Sequence, residues 1–217
     1  MRADGTTPTS EDLARASLLM RRLKKIYGSV PTALAYSDPW QLLVATAISA
    51  QTTDENVNKV TKVLFAAYPG AVSLAKADPE RVEKLIYSTG FYRQKTKSII
   101  SLSDDLVRDY DGQVPQKIDE LVKLRGVGRK TASVVLAEAF GLPAIAVDTH
   151  VKRVAHRLEL THQTDPVKVE KDLKAIIAKP QWPTLSMRLI QFGRHTCHAR
   201  SPSCSECPLA ELCSFPR

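Results

Sequence analysis

The sequence predicts an all-α fold, and three observations carry that prediction. Apolar residues recur at helical spacing along most of the 217 residues. The pairs Asp38-Pro39, Asp78-Pro79 and Asp165-Pro166 each read as a helix N-cap followed by proline at the first helical position, where a missing amide costs nothing. Period-2 alternation bounded by hairpin turns is missing, so β-structure should be minor.

The elements follow in order. Ser10 can cap a first helix whose Leu13, Leu19, Leu23 and Ile26 fall on one side before Gly28. The helix opened by Asp38 ends in apolar Val44, Ala45, Ala47 and Ile48, and runs into a polar turn holding Gln51. A new helix, capped near Thr53, spans Asp54 to Ala67. Further helices start after Asp78 and run from Tyr92 to Arg108 and from Lys117 to Leu124. The turn Gly126-Val127-Gly128 then leads into a helix opening at Arg129-Lys130. An apolar strap, Ala144-Ile145-Ala146-Val147, delivers Asp148 to the N-cap position of another helix. There is no internal repeat and no low-complexity linker.

A chain with 43% hydrophobic and 25% charged residues can bury a real core. Its net charge of +8 and pI near 9.4 suggest a polyanionic partner. Aromatics, at 6%, are too few for a broad single-strand stacking platform. The N-terminus carries acids early and has no apolar core of signal-peptide type. The longest apolar stretch, around Leu42 to Ala50, is far short of a membrane span. The protein is therefore expected in the cytoplasm or with the nucleoid.

Chemistry concentrates in three places. The turn Gly126-Val127-Gly128 and the helix start after it form a nest of N–H donors suited to phosphate. Lys130 is out of place in a first helical turn: the helix dipole and neighbouring Arg129 both disfavour its charged form, and a lysine that gives up its proton readily is a better nucleophile. On the turn alone, Arg129 and Lys130 simply reaching for phosphates is the better-supported reading. Asp148 can act as a cap, as a carboxylate that stabilises a cationic centre, or as both. Basic residues also cluster at Arg93, Lys95, Lys97, Lys152, Arg153 and Arg157. Singly they read as a solvated face; together they could line a phosphate track whose affinity falls with salt. His150, His156, His162 and His195 show no ligand spacing and read as structural.

The four cysteines, Cys197, Cys204, Cys207 and Cys213, all lie within the last 21 residues and are spaced C-x6-C-x2-C-x5-C. With no secretory signal, disulfides are disfavoured, which leaves a zinc site or an iron–sulfur cluster. Only Cys204 and Cys207 have the knuckle spacing usual for zinc, so the pattern leans slightly towards iron–sulfur.

The segment LRGVGRKTASVVLAEAFGLPAIAVDTHVKRVAHR closely resembles the helix-hairpin-helix and Gly/Pro-rich loop of the endonuclease III family of DNA glycosylases. The segments SAQTTD and IYSTGFY and the cysteine spacing fit the same family, so that the resemblance runs from about Ala16 to Cys213. It implies two helical domains with a DNA-binding cleft between them: residues 32-142 as a helical barrel carrying the hairpin, and 1-31 with 143-217 as a discontinuous [4Fe-4S] cluster domain. It implies that Lys130 attacks the sugar C1′ and that Asp148 assists. Gly126, Val127, Gly128 and Arg129 would hold the DNA backbone, while Gln51 and Phe91 would enter the gap left by a flipped nucleotide; from the residues alone, Phe91 could equally be a core residue under Tyr92. The four cysteines would hold one [4Fe-4S] cluster. Between them, Arg200 would reach the backbone from a loop weakened by Ser201 and Ser203, which stand where the family is often basic.

Arg125 stands where the family usually has proline, and is expected to loosen the turn and add charge near the phosphate. The implied activity is that of a bifunctional DNA glycosylase/AP lyase, a monomer acting on double-stranded DNA that contains oxidised pyrimidines or abasic sites. The related adenine-mismatch branch typically lacks the lysine, so Lys130 argues against it. A non-catalytic helix-hairpin-helix DNA-binding protein with a structural cluster is the alternative, though it would need neither Lys130 nor Asp148. An electron carrier would explain the cysteines alone.

Overall fold

The computed structural model describes residues 1–215, and none of these is in a strand. In chain order the helices are α1 (Ser10–Tyr27), α2 (Pro39–Ile48), α3 (Asp54–Ala67), α4 (Ala71–Ala75), α5 (Pro79–Ile86) and α6 (Tyr92–Tyr110). There follow α7 (Ile118–Leu121), α8 (Arg129–Phe140), α9 (Thr149–Arg157), α10 (Pro166–Ile176) and α11 (Trp182–His195). No helix among the described residues is long and apolar enough to cross a membrane.

The chain divides into two compact units, Met1–Pro31 with Leu142–Arg217, and Thr32–Gly141. The second is built around α2, whose Leu42, Leu43, Val44, Ala45 and Ile48 are all fully buried. A helix apolar all round must be covered on every side, and α3, α6 and α8 all pack on it. The Trp40 indole donates to Ser103 Oγ on α6 at 3.2 Å. In the first unit, Leu19, Met20 and Leu23 of α1 share a core with Val151 and Val154 of α9, Leu173 of α10, and Leu185, Leu189 and Phe192 of α11.

Helix starts follow the sequence closely. Asp38, Asp78 and Asp165 each accept a backbone N–H as N-cap, with proline next. Thr53 caps α3, which has the expected limits. Other expectations need correction. Thr9, not Ser10, caps α1: Thr9 Oγ1 accepts the Asp12 amide at 3.1 Å and Asp12 accepts the Thr9 amide at 2.9 Å. That reciprocal box requires an acid three residues on, and Thr9 has one. Leu13 and Ile26 extend the α1 stripe by a turn at either end of the packed core, and remain 44% and 43% exposed. The helix expected over 117–124 shrinks to α7, because Lys123 and Leu124 switch to tighter three-residue hydrogen bonds on entering the hairpin turn.

Candidate active site and cluster-binding segment

The hairpin begins where Leu121, Leu124 and Val127 bury their side chains and the Val127 amide closes a turn on the Leu124 carbonyl at 3.0 Å. Gly126 has φ +81°, and a Cβ there would lie 2.8 Å from Ser98 Cβ on α6. Both facts demand glycine. Gly128 has neither constraint; as N-cap of α8 it leaves that helix without a side-chain cap hydrogen bond. Arg129 and Lys130 are exposed in the first turn. Gly126→Ala should therefore cost about 1–3 kcal/mol in denaturant unfolding. Gly128→Ala should lose only the weaker cap preference.

Arg125 does the opposite of what was expected. Its amide donates to Asp105 Oδ2 at 2.8 Å, its Nε to Asp105 Oδ1 at 2.8 Å, and its Nη2 to Asp104 at 2.7 Å and the Ser101 carbonyl at 3.2 Å. The side chain fastens the hairpin to α6, and two carboxylates offset its charge. A proline could make none of these bonds. Burial pushes the Asp105 carboxyl up, but bonds from the Arg125 side chain and amide, with help from Arg108, outweigh it and hold the group below its usual range. A carboxyl lowered in the folded state stabilises above its unfolded value, about 3.9, and loses that contribution as pH falls through the lower folded value. Thermal melts should show a stability loss below about pH 4 that is blunted in Asp105→Asn.

Gln51 and Phe91 share a rare backbone. Among the described residues only Gln51, Phe91, Asp111 and Glu159 are non-glycines with positive φ, and the first two have φ +55° and +47°. Phe91 is 69% exposed, so it is no core residue beneath Tyr92. An exposed phenylalanine in the left-handed region marks a function more than a fold. Lys95 departs from its expected place on a phosphate track: it is buried, and its Nζ donates to the Thr89 carbonyl at 2.7 Å, bracing the loop that carries Phe91.

Asp148 caps α9, with Oδ1 accepting the Val151 amide at 2.7 Å. Its Oδ2 lies 3.3 Å from His150 Nδ1, a partner the sequence reading missed. The only signal for it was their placement two residues apart in the VDTH segment. The strap before Asp148 is buried but not a strand; the Ala146 amide donates to Ser186 Oγ at 2.9 Å.

The four cysteines form no disulfide and line one apolar pocket with Leu158, Phe192 and Phe215. Tetrahedral zinc needs all four sulfurs on one centre, whereas a four-iron cube takes each thiolate on a separate iron. Four cysteines set around one apolar pocket fit such a cluster. Burial chiefly, and then the other three cysteines, push the Cys207 thiol up. Iron must displace that proton on binding.

Arg153 and Arg157 also turn inward rather than to a phosphate track. Arg153 donates to the carbonyls of Gly193 and Cys197, and Arg157 to those of His198 and Ala199, and to Cys197 Sγ at 3.4 Å. They hold the loop between Cys197 and Cys204, on which Arg200 is exposed.

The chain is similar to known proteins over most of its length. A family model for HhH-GPD superfamily base excision DNA repair proteins matches residues 44–179, and one for the iron-sulfur binding domain of endonuclease III matches residues 197–213. Endonuclease III of Synechocystis is 52% identical over 92% of this chain and 91% of its own length. That of Escherichia coli is 36% identical over 91% and 93%. A solved trapped endonuclease III–DNA covalent intermediate, 43% identical, superposes with a TM-score of 0.88 over 93% of this chain and 95% of that one. With the hairpin, the cysteine segment and near full-length identity in agreement, the chain belongs to the endonuclease III family of base excision DNA repair enzymes.

Proposed function

We propose that this DNA glycosylase/AP lyase uses Lys130 as its nucleophile and removes oxidised pyrimidines from double-stranded DNA. The observation that carries the assignment is an exposed lysine in the first turn of α8, directly behind a hairpin turn whose Gly126 has no room for a side chain.

The damaged nucleotide leaves the stack, because C1′ cannot be reached inside the duplex. Gln51 and Phe91 occupy the vacated space. The Val127 amide is spent on the Leu124 carbonyl, so the hairpin amides of Gly126, Gly128 and Arg129 are left to hold the backbone phosphate next to the target. Neutral Lys130 Nζ attacks C1′, the base departs with the bonding electrons, and the amine becomes a Schiff base with the opened sugar. β-Elimination then breaks the strand 3′ to the lesion, and water releases the lysine. Asp148, as a carboxylate, stabilises positive charge developing on the sugar and supports activation of the lysine.

Cys197, Cys204, Cys207 and Cys213 hold the [4Fe-4S] cluster, which when bound supplies a structural anchor for the loop bearing Arg200. We take residues 32-142 as the barrel domain and 1-31 with 143-217 as the cluster domain. The enzyme is read as a monomer working in the cytoplasm on nucleoid DNA.

The test is reduction with borohydride in the presence of thymine-glycol and abasic duplexes. The enzyme should cut both and become covalently linked to them. The non-catalytic alternative would bind both, leaving them uncut and unlinked. A wider panel of lesions, assayed side by side, tests the pyrimidine preference.

A further inference from the structure

We infer that Asn56 is a positioning residue that locks the segments carrying Gln51 and Phe91 into one gap-filling unit. The inference rests on the reading above, in which those two side chains take the place of the flipped nucleotide.

The two segments are remote in sequence and meet at one amide. Asn56 sits in the first turn of α3, and its Nδ2 donates to Thr52 Oγ1 at 3.0 Å and to the Ser88 carbonyl at 3.0 Å. Its Oδ1 accepts from Ser88 Oγ at 3.0 Å. Thr52 follows Gln51 directly, and Ser88 lies in the short helical turn Tyr87–Thr89 just ahead of Phe91. Both amide hydrogens and the carbonyl oxygen are therefore engaged, each with one of the two segments.

The physical need for such a joint is plain. Gln51 and Phe91 are both in left-handed backbone, which is strained for a residue with a side chain and persists only where the surroundings impose it. Both are exposed, so little packing holds them. Lys95 braces the Phe91 side through the Thr89 carbonyl. Asn56 is bonded to both. A side chain already set in place loses less freedom on entering the DNA, and two side chains held at a fixed separation enter together.

The consequence is selective. Expelling a paired base from a duplex needs both side chains in position, whereas an abasic site in a single strand needs neither. In Asn56→Ala the ratio of single-turnover thymine-glycol excision from duplex to lyase cleavage of a single-stranded abasic oligonucleotide should fall ~10-fold or more. Phe91→Ala should lower the same ratio, and Asn56→Ala added to it should lower the ratio little further, since both act through one device. Fluorescence of 2-aminopurine placed opposite the lesion should rise less on binding to Asn56→Ala than to the unaltered enzyme.

If Asn56→Ala slows both substrates equally, or multiplies independently with Phe91→Ala, the joint is only a fold contact and the inference is overturned. If Phe91→Ala itself leaves duplex excision unaffected, the gap-filling reading fails, and the inference with it. Those results are distinguishable because the single Phe91 variant is measured separately.

Discussion

Lys130→Gln should reduce strand cleavage at an abasic site by a factor on the order of 10³ or more and abolish borohydride trapping, with the visible cluster absorbance unchanged. Glutamine has nearly the reach of lysine, but its amide nitrogen shares its lone pair with the carbonyl and cannot form an imine. The position is exposed on the first turn of α8, so the substitution should leave stability within about 0.5 kcal/mol. Asp148→Asn supplies the contrast. Asparagine caps a helix as well as aspartate does, so α9 stays formed while the charge is removed. Trapping should then be slower by about 10²–10⁴-fold, yet still occur, because the amine is present. Equal loss in the two variants would mean that Asp148 is as indispensable as the nucleophile.

The second large effect is expected from Cys207→Ser. Removal of one of four thiolates leaves an iron without its protein ligand, and the visible iron–sulfur absorbance should be lost on purification. Cys197, Cys207 and Cys213 pack against the core of the first unit, and Leu209 between the latter two is fully buried. Arg153 and Arg157 hold the loop, but only by hydrogen bonds to carbonyls and sulfur, each worth about 1–3 kcal/mol. Without the cluster, residues 197–213 should become open to proteolysis and DNA affinity should fall. The other unit, Thr32–Gly141, should keep its cooperative unfolding. An unchanged digestion pattern would show that the segment folds without iron.

What the sequence disclosed and what it hid separate along a physical line. Helix caps are local, so the three Asp-Pro starts and the limits of α3 were readable from a few neighbouring residues. The glycine turn and the cysteine spacing are local in the same sense. Direction is not local. Lys95, Arg153 and Arg157 register as positive charge in a sequence, but each spends its donors on carbonyls supplied by other segments. Arg125 is read as a flaw in a proline turn until α6 brings Asp104 and Asp105 alongside it. Gln51 and Phe91 are not residue types that announce positive φ, so their backbone strain was invisible beforehand. His150 carried no ligand spacing, and its approach to Asp148 is set by the first turn of α9.

The most direct measurement is to locate the covalent bond. Holoenzyme reduced with borohydride on a thymine-glycol duplex, digested and mapped by mass spectrometry, should yield a sugar adduct on the peptide containing Lys130 and on no other. An adduct on a different amine, or no adduct from enzyme whose cluster is intact, would contradict the account.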